Sequence, residues 1–216
     1  MLESLKERVC KENQALLENG LVKWTSGNVS ARDPETNLVV VKPSGVLFPE
    51  LTPEKMIVVD LDGNVVEGNL RPSVDMKSHL YVYKHMSRIN GVIHTHSPYA
   101  TSFAITGEPL KVYTTTQGGI LGKEVPVSDF VLVGEEEIGK QIVEKVGDGY
   151  AILIRNHGVF TVGETSTIAL KAAIIVEENA QYIHYAMLRK KDIEPFTEER
   201  NKTLRDFYLS SYGQNH

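Results

Sequence analysis

The chain has 216 residues, 41% hydrophobic and 24% charged, enough for one domain with a full core and marginal for two. Its 28 acidic against 23 basic side chains give a formal charge of −5, which argues against a nucleic-acid duplex or a membrane surface as the main partner. The single cysteine, Cys10, rules out an internal disulfide and fits a reducing cytoplasm. No apolar run reaches transmembrane length, and residues 1–20 are charged throughout, unlike a secretion signal.

Apolar spacing predicts an amphipathic helix over 2–19, with Leu2, Leu5, Val9, Leu16 and Leu17 on its inner side and Gly20 as its stop. A strand is predicted at 21–25, followed by the polar turn Ser26-Gly27-Asn28. A second strand covers 37–42 and ends at Pro43-Ser44-Gly45. Thr52-Pro53-Glu54 opens a short helical turn, and Asp62-Gly63 joins strands at 57–61 and 65–66 as a hairpin. Helical spacing then covers 74–88, with Asp75 in the first turn, and residues 91–96 form a central buried strand. Ser97-Pro98 caps a helix running to Gly107. A polar segment at 113–122 leads to a strand near 125–127, a helix at 135–146, and strands at 151–154 and 159–162. The longest helix covers 165–188, with Ile168, Ala172, Ile175, Ile183 and Met187 as its buried stripe, and a last helix covers 196–211. No repeat or linker interrupts the chain. The expectation is a single α/β domain over 1–216, a mainly antiparallel sheet flanked by helices.

The chemistry concentrates around the central strand. Residues two apart on a strand share a face, so His94 and His96 point the same way and Thr95 points opposite. Two imidazoles aimed at one point suit a divalent cation, although the same pair arises on ordinary strand faces. His157, between a buried strand and Gly158, is a third candidate. Asp75 is either a helix cap or a carboxylate for the same site. Three imidazoles and a carboxylate suit zinc, or another divalent ion of similar preference such as Mn2+ or Co2+. The glycine-bearing turns at Asn28 and at Ser44-Gly45, with Ser73 at a helix start, have the makings of an anion cradle.

TSGNVSAR at 25–32, KPSGV at 42–46, RPSVD at 71–75 with His79 following, HTHS at 94–97 and NHG at 156–158 occur in this order. In this the chain resembles the class II aldolase family, which includes the L-fuculose-1-phosphate aldolases and the L-ribulose-5-phosphate 4-epimerases. The resemblance implies a zinc-type ion on His94, His96 and His157, and a substrate-phosphate cradle of Asn28, Ser44, Gly45 and Ser73. It implies an acidic catalytic residue at Asp75. It also implies a cytoplasmic homotetramer with sites between subunits, in which Tyr212 reaches a neighbour's site. The substrate it implies is a phosphorylated ketose, cleaved through a metal-stabilised enediolate.

The branches of the family leave mixed marks. Asp75 and KPSGV resemble the epimerases. The lack of an acidic residue in 114–119 and the short connection before Asn156 resemble the aldolases, and Val74 stands where epimerases carry a second serine. Because epimerisation needs proton handling on both faces of an aldehyde, the missing acid weighs most. The chain reads as an aldolase releasing dihydroxyacetone phosphate from a ketose 1-phosphate, with the 4-epimerase as the alternative. A non-catalytic scaffold like the adducin head is a third reading, one that would have no need of the three histidines.

Overall fold

The computed structural model describes residues 2–190 and 192–213. Seven strands form one sheet: β1 (Asn28–Arg32), β2 (Val39–Val41), β3 (Ile57–Val59), β4 (Val65–Glu67), β5 (Gly91–Thr95), β6 (Ala151–Ile154) and β7 (Gly158–Gly163). Their spatial order is β4-β3-β2-β1-β5-β7-β6, and every neighbouring pair is antiparallel. Among the described residues, seven α-helices surround the sheet: α1 (Glu3–Glu18), α2 (Met76–His85), α3 (Pro98–Thr106), α4 (Thr115–Leu121), α5 (Glu137–Val146), α6 (Ser166–Arg189) and α7 (Glu198–Ser211). This is the α/β class the hydrophobic pattern predicts.

Strand alternation sorts the core into two layers. Val39, Val41 and Val92 pack with Leu80, Ile138 and Ile142 beneath α2 and α5. Val40, Val29 and Ile93 point the other way and pack with Val9, Leu16 and Ala169 beneath α1 and α6. Each of these side chains is essentially sealed from solvent, a burial worth roughly 1.5–3 kcal/mol apiece for the larger ones. The parity fixes the site: His94, two residues past Val92, must face the α2 side, and Asn28 is paired directly beside it in register.

Several boundaries differ from the sequence expectation. The stretch 21–25 is not a strand. After α1, Gly20 (φ +68°) closes a Schellman motif in which Leu21 N–H donates to Leu16 O and Gly20 N–H to Leu17 O. Leu21 and Val22 are then buried as anchors, Trp24 adopts φ +59°, and the strand begins only at Asn28. Its alternate residues Asn28 and Ser30 are polar yet buried, so an apolar count misses it. The segment 113–122 contains α4, capped by Thr114, whose Oγ1 accepts from Gln117 N–H at 3.1 Å. Gly118 and Gly119 lower its helical signal and also let α7 approach. A Cβ on Gly118 would stand 2.9 Å from Leu204 Cδ1. The strand expected at 125–127 reduces to single bridges, Leu110 to Val125 and Val127 to Leu153. On the long helix, Ile168 is exposed and does not belong to the buried stripe.

Candidate metal centre

Three elements bring the histidines together. His94 is the fourth residue of β5, His96 follows the strand's end, and His157 occupies the turn between β6 and β7. Their ligand atoms lie within 4.8 Å of one another, the one group of metal-ligating side chains this close among the described residues. His94 is buried, His157 half-buried and His96 exposed. The turn at His157 depends on Asn156 at φ +57°, a conformation asparagine tolerates better than most residues, with its N–H held by Ala104 O at 3.1 Å. Gly158 then passes so close that a Cβ there would lie 2.5 Å from Thr95 O and 2.8 Å from His96 Cδ2. Any larger residue would push β7 or the imidazoles away.

The donor set fits a divalent cation. His94 Nδ1 lies 3.0 Å from Val159 O, a carbonyl that can only accept, so Nδ1 carries the proton and Nε2 presents its lone pair. His94 Nε2 and His96 Nε2 are 2.9 Å apart. Two nitrogens on one tetrahedral zinc, each about 2.0–2.1 Å from the ion, stand roughly 3.3 Å apart. The Nδ1 of His157 is buried with no hydrogen-bond partner. Burial pushes the His94 imidazole down to about 3, with the other two histidines adding to the shift against the opposing pull of Asp75. Enclosure likewise lowers His96 and His157. All three are therefore neutral, ligand-ready imidazoles near pH 7.

Asp75 sits at the N-cap position of α2 but does not cap it with its side chain. Its carboxylate turns to the site instead, where Oδ2 accepts from Asn28 Nδ2 at 2.8 Å, and the same amide donates to Ser73 Oγ at 3.0 Å. Burial alone would push this carboxyl up. The facing His94 and His79 rings and the Asn28 bond outweigh burial and hold it below the ordinary carboxylate range. The Ser44-Gly45 turn is pinned to the segment ahead of α2: Ser44 N–H donates to Arg71 O at 2.8 Å and Ser73 N–H to Lys42 O at 3.0 Å. Ser73 therefore offers its hydroxyl, not the free backbone N–H of a helix terminus, because α2 begins at Met76.

A cavity of about 290 Å3 gathers eight of the nine expected site residues: His94, His96, His157, Asp75, Asn28, Ser44, Gly45 and Ser73. Tyr212 is not on its wall. In this chain the Tyr212 ring stacks on Tyr208 at 4.8 Å, with Lys171 Nζ 5.7 Å from its centroid. The cavity also contains Lys42, whose role the sequence pattern does not draw out. Lys42 is almost fully buried, lies over the Phe48 ring at 4.9 Å, and is pushed down to about 8 by burial against the opposing charge of Asp75. A lysine closing the apolar run Val39–Val41 is the available signal. A larger groove of about 690 Å3 beside α7 contains none of the three histidines and, among the described residues, no other group of close metal-ligating side chains.

Comparison with known proteins agrees with this arrangement. The family described as Class II Aldolase and Adducin N-terminal domain matches residues 7–184, and the chain belongs to it. The L-ribulose-5-phosphate 4-epimerase UlaF of Salmonella paratyphi B is 38% identical over 191 residues, covering 83% of this chain and 84% of that protein. Among solved structures, an L-fuculose 1-phosphate aldolase superposes with TM-score 0.90 at 29% identity, covering 95% of this chain and 96% of the other. The L-fuculose-1-phosphate aldolase of Thermus thermophilus gives TM-score 0.75 at 27% identity, covering 89% of this chain and 100% of the other. The protein is thus an enzyme of the class II aldolase superfamily. No helix among the described residues is long and apolar enough to cross a membrane.

Proposed function

We propose that the protein is a divalent-metal aldolase that cleaves a ketose 1-phosphate, of the L-fuculose 1-phosphate type, into dihydroxyacetone phosphate and an aldehyde. The observation that carries this reading is the junction of the histidine triad with one buried carboxylate, Asp75, in a cavity with a polar, glycine-bearing wall. His94, His96 and His157 would hold the ion, zinc by preference. When bound, that ion supplies Lewis acidity for the negative charge that develops on the carbonyl side of the breaking bond. Asn28, Ser44, Gly45 and Ser73 bind and orient the phosphate end. In cleavage the anionic Asp75 takes the proton of the C4 hydroxyl, the C3–C4 bond breaks, C4 becomes the aldehyde carbon, and the electron pair passes toward the C2 carbonyl. The Asp75 carboxyl then returns that proton to C3 and is anionic again, and the reverse direction retraces both transfers.

The 4-epimerase reading is the second, favoured by the 38% identity to UlaF. Against it, 114–119 offers no acid, and Gly118 and Gly119 are buried against α7, so an acidic side chain at either position would have to displace Leu204 or Tyr208. A coupled assay for dihydroxyacetone phosphate over a panel of ketose phosphates decides between them. Its release from L-fuculose 1-phosphate is the expected result. Interconversion of L-ribulose 5-phosphate and D-xylulose 5-phosphate with no free aldehyde would select the epimerase.

Tyr212 fits this reading as a proton-handling group that serves a neighbouring subunit of a homotetramer. In support, α7 leaves Phe207 and Leu209 more than half exposed, and Tyr212 beyond it is equally open. Mixed oligomers of Tyr212→Phe and His96→Ala chains are expected to regain activity that neither homo-oligomer has. No regain, or a fully active monomer, would contradict the shared site.

A further inference from the structure

His79 is buried, titratable and unused by the chemistry above. It lies behind the cavity wall and not on it. It stands one helical turn beyond Asp75, and its backbone N–H donates to Asp75 O at 3.2 Å. Its Nδ1 is 2.7 Å from Ser30 Oγ, which is itself 2.7 Å from Tyr83 Oη. Ser30 is two residues past Asn28 on β1, hence on the same face as the amide that holds the Asp75 carboxylate. On its other side the His79 ring meets Phe160 edge-on at 5.7 Å, and Phe160 stacks on His94 at 4.3 Å and 16°. One imidazole thus touches the strand of Asn28, the helix of Asp75 and the ring supporting His94.

That placement has a cost. His79 Nε2 is buried without a hydrogen-bond partner, a destabilising arrangement that an apolar side chain of similar size would avoid. We infer that His79 is a positioning residue, which through Ser30 locks the Asp75 turn of α2 onto β1 and sets the carboxylate for proton transfer. Tyr83 completes the lock by engaging the Ser30 hydroxyl. Removing the His79–Ser30 bond lets the carboxylate drift and leaves the metal ligands in place. The inference rests on the role proposed above for Asp75.

Three substitutions test it in zinc-loaded protein. His79→Phe keeps a ring against Phe160 but loses Nδ1, Ser30→Ala removes the same bond from the other side, and His79→Asn offers an amide near the Nδ1 position. His79→Phe and Ser30→Ala are each expected to lower kcat about tenfold, with KM within about twofold and zinc content unchanged. The double variant should lose no more than Ser30→Ala alone, because that change already removes the His79 bond together with the Tyr83 bond. His79→Asn should recover to within about threefold of the parent. A His79→Phe variant with parental kcat, an Asn variant no better than Phe, additive losses, or loss of zinc would each overturn the inference. Amide hydrogen exchange over residues 73–79 gives a substrate-free readout, expected to speed up about tenfold in Ser30→Ala. Unchanged exchange overturns the lock even if the parent protein is inert toward every ketose phosphate, whereas that inertness alone would sink the proposed reaction.

Discussion

Replacing His96 by alanine is expected to lower kcat/KM by at least about 10³-fold and to strip the protein of its divalent ion, with little change in folding. A catalytic ion contributes several kcal/mol of charge stabilisation, and about 1.4 kcal/mol corresponds to tenfold in rate. The fold is spared because His96 is exposed at the end of β5, where substitutions usually stay within about 0.5 kcal/mol. His94→Ala would not separate the two effects so cleanly. Its ring is buried against Phe160, so truncation there adds a cavity penalty of about 2 kcal/mol or more. Metal analysis, circular dichroism and steady-state kinetics on purified His96→Ala make the check. Parental activity in that variant would remove the triad from the mechanism. Proton competition for the ion should also begin only below the ordinary imidazole range, because desolvation, complete at His94 and partial at His96 and His157, lowers all three rings.

Asp75→Asn is expected to cost about 10²–10⁴-fold in kcat, the usual contribution of a placed general acid–base. The amide is nearly isosteric and its oxygen can still accept from Asn28, so folding and zinc content should hold. What it cannot do is take a proton. In deuterium oxide the parent enzyme should exchange a hydrogen at the dihydroxyacetone phosphate carbon that joins the aldehyde, and Asp75→Asn should not. The sign of the pH dependence follows from the depressed carboxyl. In the proposed role Asp75 acts as an anionic base at neutral pH, and the activity it supports is expected to disappear as pH falls through that lowered value. Undiminished exchange by Asp75→Asn would assign the proton to another group, with Lys42 next in line by position.

Where the sequence is legible, the signal is local periodicity. Alternation alone puts His94 and His96 on one face, and the sheet does place His94 toward α2 beside Asn28. The apolar stripes of α1 and, apart from Ile168, of α6 are readable for the same reason, and Gly20 marks the end of α1 by residue type. Strand β1 escapes such a reading because Asn28 and Ser30 are buried polar residues, bonded through the Asn28 amide N–H groups and the Ser30 hydroxyl to partners 45 to 53 positions away that no local window contains. Helix α4 is hidden by two glycines whose purpose, close contact with α7, is tertiary. The convergence of His157 on the pair comes from the family resemblance and not from spacing, since the β5–β7 register joins residues some 65 apart. The same is true of Asp75, whose position at a helix start reads as a cap until Asn28 is seen to hold it.

The central claim, metal-dependent cleavage of a carbon–carbon bond in a phosphorylated ketose, is tested most directly by phosphorus NMR of L-fuculose 1-phosphate in one tube with chelator-stripped protein. The account predicts no change until zinc is added, and then the growth of the dihydroxyacetone phosphate resonance as the ketose signal falls. Cleavage by the stripped protein at an undiminished rate, or no cleavage after about one equivalent of zinc has bound per chain, would contradict it.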